Sequence, residues 1–177
     1  MKIVFVRHSE PDYSMLDQAV NPDAYAGFGR DLAPLTENGR MLAEKAAQDA
    51  RLAQVQVVIS SSITRALETA TYIVRHQDKL LLVEPFFHEW RPDLDGLNYT
   101  AATVEKAYQL FWENKGQLPA DSPVRYETAA QVRERFLKAL EKYRHYDSVA
   151  IVCHGMLIRQ FFDQEKIQYC ELIEVEV

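Results

Sequence analysis

With 177 residues, 47% of them hydrophobic and 11% aromatic, the chain has the apolar material for one sizeable core, and a single domain over residues 1–177 is expected. A formal charge of −6 and a pI near 5.4 argue against nucleic acid or an anionic membrane as the main partner. No apolar run approaches the length of a membrane span, no signal-peptide pattern opens the chain, and two cysteines make no disulfide framework, so a cytoplasmic protein is expected.

The first strand signal is Ile3 to Val6, an apolar, β-rich run without polar alternation, as in strands buried on both faces of a parallel sheet. It ends in Arg7-His8-Ser9-Glu10, at the carboxyl end of a strand, where open α/β sheets bind their ligands. Pro11 to Pro34 lacks any period and reads as a long loop. Thr36 is the expected N-cap of a helix with Leu42, Ala46, Ala50 and Ala53 on its buried stripe. A second buried strand, Val55 to Ile59, runs into Ser60-Ser61-Ser62 and a helix carrying Arg65, Ala66, Thr69, Ala70 and Ile73. Leu80 to Val83 is a short third strand, and Glu84 to Asn98 an irregular stretch.

From Thr100, Val104, Ala107, Tyr108, Phe111 and Trp112 recur at helical spacing, up to a stop near Asn114-Lys115-Gly116. Thr128-Ala129-Ala130-Gln131 is a capping-box pattern opening a helix with Val132, Phe136, Ala139, Leu140 and Tyr143 inward and its charged residues on a solvated face. Val149 to Val152 is a further buried strand, ending in Cys153-His154-Gly155 before a helix through Phe162, and Leu172 to Val177 alternates like an edge strand. Strand–helix–strand order predicts a parallel sheet with crossovers.

Three strand ends thus deliver Arg7-His8, Ser60 to Ser62 with Arg65, and His154-Gly155. Parallel strands point their carboxyl ends one way, so two histidines and two arginines can meet in one crevice. Guanidinium forks pair bidentately with phosphate oxygens and keep their charge at every working pH. An imidazole in such a trap can attack phosphorus and split one hydrolysis into two transfers. No His-x-x-x-His or Cys-x-x-Cys spacing points to a metal site. Cys153 to Arg159 has the bare C-x5-R spacing of cysteine phosphatases, but Met156-Leu157-Ile158 reads as the start of a packed helix and Cys153 as a small buried residue. His76, His88 and His145 are read as non-catalytic and partly exposed.

These segments resemble the histidine phosphatase superfamily, the phosphoglycerate-mutase-like phosphatases, in family order: Arg7-His8 with R-H-G-E, Pro34-Leu35-Thr36-Glu37-Asn38-Gly39 with P-L-T-x-x-G, Ser60 to Ala70 with S-S-x-x-x-R-A-x-x-T-A, and Cys153-His154-Gly155 with x-H-G. The resemblance implies a three-layer α/β/α sandwich around a mostly parallel sheet. It implies a phosphorylated nucleophile at His8, phosphoryl binding by Arg7, Arg65 and His154, and a phosphatase needing neither metal nor cofactor. Among relatives an acidic proton donor precedes a glycine after the middle strand; Glu89 fits that place best, with Asp93, Asp95 and Glu84 as rivals.

Ser9 replaces the family glycine, and Ser14 stands where many members carry a phosphate-contacting asparagine, so both are possible additional substrate contacts. Residues from about 90 to 127, including Tyr99, Tyr108, Phe111 and Trp112, fall where relatives build a cover over the site. The implied partner is a small phosphorylated molecule, a sugar or carboxylate phosphate among the options. A phosphoglycerate-type mutase and a non-catalytic phospho-ligand binder are the alternatives, the former disfavoured because glycolytic mutases are longer.

Overall fold

A computed structural model describes residues 1–18, 27–96 and 100–177. Tyr99 therefore lies outside the described residues. Five strands form one sheet in the order β3-β2-β4-β1-β5, comprising β1 (Lys2–Arg7), β2 (Val57–Ser61), β3 (Leu81–Glu84), β4 (Ser148–Cys153) and β5 (Leu172–Glu176). The first four run parallel, and β5 closes the edge antiparallel to β1.

The alternation of side chains along β1 divides the core in two. Ile3 and Phe5, with Val57, Ile59, Val149 and Ile151, face one side. Val4 and Val6, with Val58, Ala150 and Val152, face the other. The second side is covered by α2 (Glu37–Ala46), α3 (Ala50–Ala53) and α4 (Thr64–Gln77) through Ala47, Leu52, Ala66, Ala70 and Ile73. The first is covered by α5 (Ala101–Glu113), α6 (Ala129–Leu140) and α7 (Gly155–Ile158) through Ala107, Phe111, Phe136, Leu140 and Leu157. This is the expected three-layer arrangement. It explains why strands β1, β2 and β4 read as unbroken apolar runs: both their faces are dry.

The chain leaves β1 toward the α2–α4 layer and leaves β4 toward α7 in the opposite layer. Connections that diverge from adjacent parallel strands open a crevice at their carboxyl ends. Register then brings the histidines together: Arg7 pairs with Cys153, and the His8 N–H donates to the Cys153 carbonyl at 2.9 Å.

Several details differ from the sequence reading. The loop before Pro34 contains α1 (Ser14–Asp17) and a 3-10 turn at Gly27–Leu32. The helix after Thr36 does not continue through Ala53; it stops at Ala46, and Asp49 caps a separate turn by accepting from the Arg51 N–H at 3.0 Å. That break resets the helical phase, so Ala43, Ala47 and Leu52 are buried whereas Ala50 and Ala53 are exposed. Strand β2 extends through Ser60, which pairs with Val83 and Val152, and Ser61, which pairs with Glu84, because these ladder partners engage their backbone in spite of the polar side chains. After β4 the helix proper spans only four residues.

The caps behave as read. Thr36 and Thr128 accept from backbone N–H groups three residues on, and Gln131 completes the capping box. Gly39, the last residue of P-L-T-x-x-G, has a steric reason. A Cβ there would lie 2.4 Å from the Glu10 carbonyl oxygen, so glycine lets α2 seat against the loop that follows His8.

Candidate active site

His8 is buried just beyond β1. Its Nδ1 lies 2.7 Å from the Ser9 carbonyl, an acceptor only, so Nδ1 carries the proton and Nε2 keeps the lone pair. The Arg65 Nε–H donates to that Nε2 at 3.2 Å. Burial first, then the Arg65 charge, pushes the His8 pKa well below the ordinary imidazole value, so the ring is neutral.

His154, immediately after β4, faces His8 with ring centroids 5.2 Å apart. Arg65 Nη2 is 3.5 Å from His154 Nδ1, and because a guanidinium only donates, His154 Nε2–H is the group that donates to Ser61 Oγ at 2.9 Å. Ser61 sits at the end of β2, so three adjacent strands supply one hydrogen-bonded array. Burial, then Arg65 and His8, also holds His154 neutral.

Arg65 enters on the first turn of α4 and is 6% exposed. Its Nη1 donates to the Arg30 carbonyl at 3.2 Å, and Asp31 Oδ1 is 4.0 Å away. Arg7 donates from Nη1 to the Ile167 carbonyl and lies over the Tyr169 ring at 4.4 Å. Its Nε is buried without an acceptor among the described residues. A buried, unmatched donor is costly, and an anion beside it removes that cost.

Glu89 follows β3 and reaches the same crevice. One carboxylate oxygen accepts from the Trp90 N–H at 2.9 Å and the other from the Met156 N–H at 3.4 Å, at the start of α7. Burial pushes its pKa above the usual carboxylate range, while Arg65 and Arg7 pull in the opposite sense. Its rivals are engaged elsewhere. Glu84 pairs with Lys142 and Tyr143, Asp95 with Arg125, and Asp93 accepts from the Asp95 and Gly96 N–H groups.

The two serines, expected as additional substrate contacts, differ in setting, Ser9 being buried and Ser14 exposed. Ser9 Oγ donates to the Gly39 carbonyl at 2.6 Å, and its N–H donates to Thr69 Oγ1 at 2.9 Å. Both groups point into the protein. Ser14 opens α1 on the exposed surface, where its N–H donates to Asp12. The neighbouring residue, Tyr13, is the one that lines the crevice, under the Arg30 guanidinium at 4.5 Å.

Two lobes meet at Glu89, Tyr108 and Met156. The larger, about 860 Å³, runs from Arg7 and Gly155 to Trp112, Arg159 and Lys166, with Arg159 stacked on the Trp112 ring at 4.1 Å. The smaller, about 410 Å³, is bounded by Tyr13, Arg30, Asp31, Arg65 and Arg91, where Asp31 binds Arg91 at 2.8 Å. Sequence reasoning missed Tyr13, Arg30, Asp31 and Arg91, because loop residues carry no period that says which way they face. It found Tyr108 and Trp112, which are 43% and 39% exposed on the cleft side, whereas Phe111 of the same helix is core.

Cys153 faces the core with its side chain fully buried, and burial pushes its thiol far up. A buried neutral thiol is a poor nucleophile. Among the described residues no three His, Cys, Asp or Glu side chains gather as a metal site. His76 and His145 are exposed, and His88 is half-buried, its Nδ1–H donating to the Glu89 carbonyl at 2.7 Å.

The profile of the histidine phosphatase superfamily (branch 1) matches residues 3–165. No curated protein matches the sequence. Solved structures share the fold. Bacillus stearothermophilus YhfR is 20% identical with a TM-score of 0.72, over 99% of this chain and 91% of that one. A mycobacterial glucosyl-3-phosphoglycerate phosphatase is 18% identical with a TM-score of 0.72, over 99% and 89%. A phosphoglycerate mutase from Bacillus anthracis is 16% identical with a TM-score of 0.69, over 98% and 86%.

Proposed function

Since this chain belongs to the histidine phosphatase superfamily (branch 1), we propose that it is a single-domain phosphatase that hydrolyses small phosphomonoesters through a phosphohistidine on His8. The observation that carries this reading is the state of His8: a neutral imidazole, its Nδ1–H held by the Ser9 carbonyl, turns an Nε2 lone pair toward the Arg65 guanidinium. The unmatched Arg7 Nε supports it.

In the first step the phosphoryl group lies among Arg7, Arg65 and His154. The His8 Nε2–P bond forms as the bond from phosphorus to the leaving oxygen breaks, and protonated Glu89 gives its proton to that oxygen. A dianion in the crevice reverses the electrostatics that keep His154 neutral, so His154 takes up a proton and donates to a phosphoryl oxygen. Ser61 keeps that ring oriented. In the second step Glu89, now a carboxylate, takes a proton from water as the new P–O bond forms and the P–N bond breaks. Neutralisation of the equatorial oxygens comes from guanidinium and imidazolium groups, so the reaction as written calls for no metal or cofactor.

The leaving group occupies the lobe of Trp112, Tyr108 and Arg159, with Tyr108 and Trp112 of α5 as its cover. Once the product departs, water enters the lobe beside Glu89 and serves as the acceptor of the second step. The test is hydrolysis of an aryl phosphate in excess chelator, with acid-labile, base-stable phosphoenzyme trapped in parallel. Turnover and trapping by the parent, both lost in His8→Ala, support the reading; a phosphoenzyme that persists in His8→Ala defeats it.

A further inference from the structure

The start of α6 brings together a charged pair that does not face solvent. Glu127, just before the helix, and Arg135, two turns into it, have side chains only 8% and 13% exposed. They bind each other through two bonds, Arg135 Nε to Glu127 Oε1 at 2.5 Å and Nη2 to Oε2 at 3.1 Å. An inward pair of this kind carries a desolvation penalty and contributes little to stability against an apolar substitute. Among the described residues its other bonds go to one segment. Arg135 Nη1 donates to the Phe86 carbonyl at 2.6 Å and Nη2 reaches the Glu89 carbonyl at 3.4 Å. Glu127 Oε2 accepts the Arg91 N–H at 3.2 Å, and the Glu127 carbonyl accepts the Trp90 indole N–H at 2.6 Å. The Glu127 N–H returns a bond to the Arg91 carbonyl at 2.9 Å.

Five bonds therefore converge on residues 86, 89, 90 and 91, four on the backbone of the segment that carries Glu89 and one on the Trp90 indole. Among the described residues the Glu89 carboxylate itself has two N–H partners, one of them adjacent in sequence and the other 3.4 Å away. Its side chain is thus weakly held at its tip and strongly held at its base.

We propose that Arg135 and Glu127 form a positioning clamp for the proton donor, setting the direction from which the Glu89 carboxyl approaches the leaving oxygen. This inference rests on the acid–base role of Glu89 given above. A planar fork suits the task because it reaches the carboxylate and two carbonyls at fixed angles, which a lysine cannot do. Proton transfer demands such placement, since a donor displaced by about an ångström can lose on the order of a hundredfold in rate.

The test compares kcat/KM, which reports the steps up to the phosphoenzyme, for an aryl phosphate and an alkyl phosphate. A phenolate leaves without a proton, whereas an alkoxide needs one. In Glu89→Gln the alkyl substrate is expected to lose about a hundredfold or more and the aryl substrate far less. Arg135→Gln and Glu127→Gln are expected to shift the alkyl-to-aryl ratio in the same direction, by about tenfold or more. Partial unfolding lowers both substrates equally and leaves the ratio unchanged. The near-isosteric Glu127→Gln keeps the test open if Arg135→Gln folds poorly. An unchanged ratio in Glu127→Gln and in folded Arg135→Gln, beside a shifted ratio in Glu89→Gln, overturns the clamp alone. An unchanged ratio in Glu89→Gln overturns both the clamp and the acid role it serves.

Discussion

Ser9 occupies the position of a family glycine beside the nucleophile, and its hydroxyl has two possible tasks, binding phosphate or holding the loop. Its hydrogen bond to the Gly39 carbonyl favours the second. Ser9 Oγ is fully buried and donates to the Gly39 carbonyl at 2.6 Å, and the Cys170 thiol is hydrogen-bonded to the same side chain. In Ser9→Ala the Cβ stays and the hydroxyl bond is lost. Gly39 lies within α2, where its carbonyl also serves the helical ladder, so the loss does not orphan that acceptor. The cost then falls at the lower end of the range for a buried hydrogen bond, about 1–2 kcal/mol. For a chain of this size each kcal/mol moves the midpoint by about 2–4 °C, which gives a drop of roughly 2–8 °C. Thermal unfolding followed by circular dichroism reads that drop, and kcat/KM for an aryl phosphate is expected to stay within about threefold of the parent. A hundredfold loss of kcat/KM with an unchanged midpoint would refute the reasoning and put the hydroxyl on the phosphoryl group.

Gly39→Ala should destabilise more than Ser9→Ala, by about 1–3 kcal/mol, because its Cβ meets the backbone oxygen of Glu10 at 2.4 Å; a midpoint equal to the parent's would show that α2 can shift freely. Stability should fall as pH drops below about 6.5, since His8 and His154 are neutral in the fold and their unfolded counterparts take up protons first. The two together give a slope of up to about 2.7 kcal/mol per pH unit, partly offset by Glu89, whose raised pKa binds a proton in the fold earlier than in the unfolded chain. Denaturant titrations at several pH values should therefore show a flatter profile in His8→Asn/His154→Asn, and an equally steep one would assign the slope to other groups. Cys153→Ser should lower the unfolding midpoint yet keep aryl phosphatase activity, because the thiol is buried in the core; loss of activity at full stability would return the nucleophile to sulfur.

The parts of the site legible in the sequence share one property: each stands at the end of an apolar run. Arg7-His8, Ser61 and His154 could be placed together because parallel strands align their carboxyl ends, and Arg65 because it opens the helix after one of them. Thr36 and Thr128 were readable as caps because capping is local, spanning three residues. Arg135 reads in the sequence as part of a solvated face, whereas the structure turns it inward. Its spacing of three from Val132 and four from Ala139 put it on the edge of the buried stripe, and that was the available signal.

Residue type and order alone determined the sheet's parallel core, its layered helices and the identity of the histidine–arginine set, because burial periodicity and strand polarity are written along the chain. Only the tertiary structure decided where Ser9 points, why Glu89 rather than Glu84 or Asp95 stands in the cleft, and that Tyr13, Arg30 and Asp31 wall its smaller lobe. Those choices depend on partners far away in sequence, Gly39 for Ser9, Met156 for Glu89 and Arg91 for Asp31. A side chain's direction is set by whichever hydrogen bond or ion pair the packed layers make available, and that is fixed by the meeting of segments rather than by the pattern within any one of them.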